Sequence, residues 1–126
     1  MKLTLKEIEL KFKNKILYNV KLANYSWFNL GGPSEFFFKP DTIEDIIFFL
    51  KQTKPEKFNI LGAGSNTLIR DGGVKGVTIK LSSQFSYLNF TAPNIIEVGA
   101  ATLDKKIADF ALEHSLSGLE FLSCIP

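Results

Sequence analysis

The chain has 126 residues, 45% of them hydrophobic and 22% charged, the balance of one soluble globular domain. One cysteine, one histidine and a formal net charge of +2 exclude an internal disulfide, a cysteine zinc cage and two-histidine metal motifs, and they disfavour nucleic-acid binding by phosphate neutralisation. No apolar run reaches the about 18 residues of a spanning helix, and Met1-Lys2-Leu3-Thr4 opens no secretory signal, so the chain reads as cytoplasmic, with no membrane partner.

Residues 1 to 21 hold six lysines against Glu7 and Glu9, a local +4. Leu5, Ile8 and Phe12 recur at helical spacing, which predicts a short amphipathic helix with its lysines in water. Asn24 to Leu30 reads as extended chain, Gly31-Gly32-Pro33 as a tight turn, and Phe36-Phe37-Phe38 as a buried strand closed by Lys39-Pro40. Thr42 precedes Ile43, Ile46, Ile47 and Leu50, with Asp45 placed as a reciprocal capping residue. This predicts a helix over about 43–53 whose cap contributes about 1 kcal/mol. Phe58 to Leu61 reads as a short buried strand, completing a β-α-β order.

Further on, Val77, Ile79 and Leu81 alternate with polar residues, Ile95 to Val98 follows an Ala92-Pro93-Asn94 turn, and Phe85 to Phe90 is extended in pattern. All three are expected as strands. Thr102 opens a second amphipathic helix through Leu103, Ile107 and Phe110 to about Glu113, stopped by Ser115 to Gly118. The expected class is α+β, mixed sheet with flanking helices.

The stretch from Gly62 to Gly76 packs five glycines into 15 positions. Gly62 and Gly64 let the backbone approach a ligand closely, and successive amides of such a loop can hold anionic oxygens. Ser65 and Asn66 add neutral hydrogen-bonding groups. A P-loop is excluded because no lysine follows the glycines before Lys75. A dinucleotide fingerprint fails as well, since Thr67 stands at the third glycine position and Gly72-Gly73 leaves no room for a helix. On the residues alone the loop fits either a phosphate cradle or a glycine-rich turn with no ligand.

Three segments resemble a known family: Asn24-Tyr25-Ser26-Trp27-Phe28-Asn29-Leu30-Gly31-Gly32-Pro33, Leu61-Gly62-Ala63-Gly64-Ser65-Asn66-Thr67-Leu68-Ile69-Arg70-Asp71-Gly72-Gly73, and Leu116 to Pro126. Together they are similar to the UDP-N-acetylenolpyruvoylglucosamine reductases, also called UDP-N-acetylmuramate dehydrogenases. The resemblance implies an FAD-binding domain of the p-cresol methylhydroxylase type. Residues 1–23 would be a lead-in, 24–81 a first β-α-β subdomain and 82–126 the start of a second.

It further implies that Leu61, Gly62, Ala63, Gly64, Ser65, Asn66, Thr67 and Leu68 bind the FAD pyrophosphate and that Ile125 contributes a second contact. In the family, NADPH delivers hydride to the flavin, which reduces the enolpyruvyl double bond of a UDP-sugar to give a peptidoglycan precursor. The family's second glycine-rich segment and substrate domain have no counterpart in these residues, and Leu119 to Pro126 is interior-type sequence. A truncated chain, inactive by itself and apt to associate with the missing part, is therefore expected. No residue of this chain is assigned a catalytic or metal-binding role. The alternatives are a nucleotide-binding or interaction module without chemistry and another FAD-linked oxidase or dehydrogenase.

Four further residues invite attention. Cys124 in its apolar stretch is expected as a small core residue, and Trp27 likewise as core. His114 is expected to meet the terminal carbonyls of its helix, and Arg70 to form at most a surface ion pair with Asp71.

Overall fold

The computed structural model describes residues 4–125. The chain divides after Leu81 into two compact units.

The first unit opens with helix α1 (Leu5–Phe12), started by a full capping box: the Glu7 amide donates to the Thr4 hydroxyl, and the Glu7 carboxylate accepts from the Thr4 amide. Ile8 and Phe12 are its buried stripe, as the spacing predicts. Strand β1 (Ile16–Lys21) follows, an element that the sequence reading did not anticipate. It pairs antiparallel with β2 (Pro33–Phe38), and Asn19 at φ 51° breaks the pairing between Tyr18 and Val20. The segment expected as a lead-in thus supplies a helix and an edge strand.

Helix α2 (Ile43–Thr53) occupies the expected residues, with the Thr42 hydroxyl accepting from the Asp45 amide. The return arm differs, because the Asp45 carboxylate accepts from the Asp41 amide. Strands β3 (Phe58–Leu61) and β4 (Val74–Lys80) complete a four-stranded sheet ordered β1-β2-β4-β3, with β4 parallel to both of its neighbours.

Expected as buried, β3 is an edge strand with Phe58 50% and Ile60 63% exposed; only one of its sides has a neighbour. The β2–β4 register shifts between Ser34 and Phe36. There the Gly76 amide leaves the ladder for the Glu35 carboxylate at 2.8 Å, with Gly76 at φ 79° against the Lys57 carbonyl. This is a bulge that requires glycine.

The core lies on the sheet's two faces. Phe38 stacks on Phe49 at 4.3 Å between ring centres and meets Phe12 edge-on at 4.9 Å, which fixes both helices to one face. On another part of the core, Phe37 packs with Leu22, Leu61 and Ile69. Ser34 and Thr78 are buried on adjacent strands with their hydroxyl oxygens 2.8 Å apart.

The second unit holds a β-hairpin, β5 (Leu88–Ala92) with β6 (Ile95–Val98), turned at Asn94 with φ 61°. The expected strand over Phe85 to Phe90 therefore starts later, because Ser83–Phe85 is a 3-10 turn capped by Ser82. Helix α3 (Asp104–Glu113) has Leu103 at its N-cap with no side-chain bond. Thr102 does not cap it, since its hydroxyl is engaged with the backbone of Tyr87. His114 meets the Phe110 carbonyl through Nδ1 at 2.8 Å and stacks on the Phe110 ring, in line with expectation. A 3-10 turn, Glu120–Cys124, closes the described chain, and Cys124 is exposed rather than core. Among the described residues no helix is long and apolar enough to cross a membrane.

Candidate functional site

Leu61 ends β3 opposite Lys80, and the chain then leaves the sheet for the loop 62–73 before re-entering as β4. No helix follows the glycines, so any anion held here would meet bare amides rather than a helix end.

The loop is clamped on one side by the segment between Leu22 and Pro33. That segment is not extended as expected. Leu22–Tyr25 is a 3-10 turn, and Asn29 donates to the Ser26 carbonyl to continue the bend. Three carbonyls of the loop are held by it. Gly64 accepts from the Trp27 amide at 3.0 Å, Thr67 from the Ser26 hydroxyl at 3.2 Å, and Arg70 from the Gly32 amide at 3.0 Å. The two glycine-containing segments, read separately in the sequence, are therefore one structural unit.

The amides behave differently from the carbonyls. Among the described residues, Thr67 alone of the backbone N–H groups from Gly62 to Leu68 turns to the protein, closing the Ser65-Asn66 turn loosely on the Gly64 carbonyl. The other six donors, outside any ladder, are costly unless solvent or a ligand takes them. Gly64 is buried at φ 76°, and a Cβ there would overlap the Tyr25 carbonyl, so the clamp itself demands glycine. A Cβ on Gly62 would meet nothing within 4 Å, so the space in front of it is open. This combination of unpaired amides and open backbone fits the diphosphate of a dinucleotide.

Charge at the site is low. Arg70 is exposed, and among the described residues no ion pair joins it to Asp71. Lys80, across the ladder from Leu61, turns its ammonium to the Leu81 carbonyl at 3.4 Å. Burial, with Lys39 adding repulsion, holds that ammonium below the usual 10.5. An anion here would be gripped by neutral donors.

Beside the loop lies a cavity of about 300 Å³ lined by Ile60, Thr67, Leu68, Ile69 and Val74 among others. A second groove of about 430 Å³, between Leu5, Phe36, Phe49 and Pro55, lies away from the loop, and its Glu35 carboxylate is already committed to Gly76. Among the described residues no three acidic, histidine or cysteine side chains are grouped to hold a metal.

Leu61, Gly62, Ala63, Gly64, Ser65, Asn66, Thr67 and Leu68 thus form one continuous stretch. Leu61 is buried in the core and Leu68 is 73% exposed. Ile125, 42% exposed, caps the 3-10 turn of the second unit. Two residues stand out against the sequence reading. Trp27, expected as core, is 66% exposed, and Ser26 is buried with both sides of its hydroxyl used. No signal in a single sequence marks Ser26, because its partner is 41 residues away.

No family model matches the chain. It is 47% identical over 121 residues to the UDP-N-acetylenolpyruvoylglucosamine reductase of Pelagibacter ubique (strain HTCC1062), which covers 92% of this chain and 40% of that protein. It is 48% identical over 120 residues to the reductase of Orientia tsutsugamushi (strain Boryong), with the same shares covered. The crystal structure of UDP-N-acetylenolpyruvylglucosamine reductase from Thermus caldophilus matches with a TM-score of 0.67 and 33% identity, over 86% of this chain and 37% of that one. The chain therefore spans about 40% of the length of the curated relatives it matches. The likeness read from three short segments extends over most of its residues.

Proposed function

We propose that this chain, whose sequence and fold match part of the UDP-N-acetylenolpyruvoylglucosamine reductases, is the portion of such an enzyme that binds FAD. In this reading the fold is the beginning of an FAD domain of the p-cresol methylhydroxylase type. Residues 24–81 make its first subdomain, with 1–23 leading in, and 82–126 begin the second. The amides of Gly62 to Leu68 hold the pyrophosphate, Ser65 and Asn66 add side-chain donors, and Ile125 makes a second contact.

The observation that carries the proposal is the set of six unpaired amides between Gly62 and Leu68, in a loop whose carbonyls at Gly64, Thr67 and Arg70 are bonded to the segment behind it. Bound FAD supplies hydride transfer from NADPH to the enolpyruvyl group of the UDP-sugar. This chain's residues bind and orient; none is assigned to the chemistry, so the chain by itself is expected to be inactive. Its substrate is met only in the longer protein.

Equilibrium dialysis tests the proposal. FAD is expected to bind weakly but saturably and to be displaced by ADP, while riboflavin, which lacks the diphosphate, is not retained. Equal retention of riboflavin and FAD, or retention of neither, contradicts it.

A further inference from the structure

We infer that Ser26 is a positioning residue for the pyrophosphate loop, acting through Thr67 and never touching the ligand. The inference rests on the FAD-binding reading above and goes beyond it by naming what gives the loop its shape.

Ser26 is 6% exposed, one of few buried polar side chains among the described residues. Its hydroxyl donates to the Thr67 carbonyl at 3.2 Å and accepts from the Phe28 amide at 3.3 Å, so its single proton and a lone pair are both used. The first bond reaches across 41 residues to the far end of the cradle, and the second holds the local bend that presents the hydroxyl. The neighbouring Trp27–Gly64 bond fixes the loop three residues earlier, and the Gly32–Arg70 bond three residues later.

Thr67 is thus the one carbonyl of the three that is held by a side chain rather than by the backbone. Without that hydroxyl the stretch between Gly64 and Arg70 is anchored only by the buried Ile69 side chain, and the amides before Ile69 no longer share one concave arrangement. A preformed array binds more tightly than one that must be ordered on binding.

The test uses the full 126-residue chain and compares wild type with Ser26→Ala, Ser26→Cys and Ser26→Thr. Three readouts are taken: ADP and FAD affinity by calorimetry, backbone ¹⁵N order parameters of Ser65 to Leu68, and the thermal midpoint. Removal of the hydroxyl is expected to weaken both nucleotides by about tenfold, the size of one net hydrogen bond. The order parameters of Ser65 to Leu68 should fall from about 0.85 toward 0.6.

Ser26→Cys fills the same space with a weak donor and should resemble Ser26→Ala, whereas Ser26→Thr keeps the hydroxyl and should recover most of the affinity. A purely structural role would lower the thermal midpoint and leave affinity and loop order, read well below that midpoint, unchanged. Wild-type affinity and loop order in both Ser26→Ala and Ser26→Cys overturn the inference and leave the cradle standing. Failure of the wild type to bind either nucleotide overturns the cradle and the inference together.

Discussion

The Trp27 amide donates to the Gly64 carbonyl at 3.0 Å, beside the point where any Cβ on Gly64 would strike the carbonyl of Tyr25. The clamp and the glycine are therefore one feature: the segment around Trp27 can approach only because Gly64 has no side chain. Gly62 and Gly64 consequently have different duties. Gly64 serves the fold and Gly62 serves the space in front of it.

This division is testable by paired substitution. Gly64→Ala combines a left-handed φ with overlap against backbone and should cost about 3 kcal/mol or more. Gly62→Ala meets nothing within 4 Å and should change stability by less than about 0.5 kcal/mol. Urea unfolding of both variants checks the contrast, and dialysis against FAD shows whether the silent Gly62→Ala change still narrows the approach to the loop.

The parallel pair at the centre of the sheet carries its own cross-link, the Ser34 and Thr78 hydroxyls at 2.8 Å. Ser34→Ala leaves the buried Thr78 hydroxyl short of a partner and should cost about 1–3 kcal/mol. Thr78→Val should cost less, because the Ser34 hydroxyl keeps the Phe36 carbonyl as its acceptor at 2.8 Å. Because the double variant removes both polar groups, its loss should fall clearly below the sum of the two, a coupling that a double-mutant cycle in urea reads directly.

Phe38 is fully buried and joins α1 and α2 to the sheet through Phe12 and Phe49. Phe38→Ala should cost about 3–5 kcal/mol. Calorimetry should show the loss as a lowered midpoint, and Phe38→Leu should show a smaller one.

Acid should weaken the first unit through its helix caps. Burial pushes the Asp45 carboxyl up, but bonds from the Asp41 amide, the Lys15 ammonium and the Thr42 amide outweigh it and leave it below its ordinary 3.8. Glu7, bonded by the Thr4 amide and hydroxyl, lies below its ordinary 4.5. A carboxyl lowered by folding contributes stability that is complete above its unfolded pKa and disappears as pH falls through the folded one. The urea midpoint should therefore be flat down to about pH 5 and drop below about pH 4, with a shallower drop in Asp45→Asn.

How much of this was legible in the sequence depended on how local the cause is. The residues of α2 were readable because Thr42, the Ile43-Ile46-Ile47-Leu50 stripe and Pro55 are all local signals. The residues of β3 were also readable, but their exposure was not, because an edge position follows from strand order. Strand β1 was hidden by Asn19, which interrupts the alternation, and by lysines that read as a solvated face. The glycine loop was visible by composition, while Ser26 and the exposure of Trp27 depend on a contact between distant segments. Cys124 was misjudged because an apolar neighbourhood in sequence is not a covered one in space.

The most direct measurement is a ¹⁵N–¹H correlation spectrum of the chain titrated with FAD. The amide resonances of Gly62 to Leu68 are expected to shift together and saturably, with smaller changes in the strands behind them. Saturable shifts confined to other residues, with those seven amides unmoved, would contradict the claim that this loop grips the diphosphate.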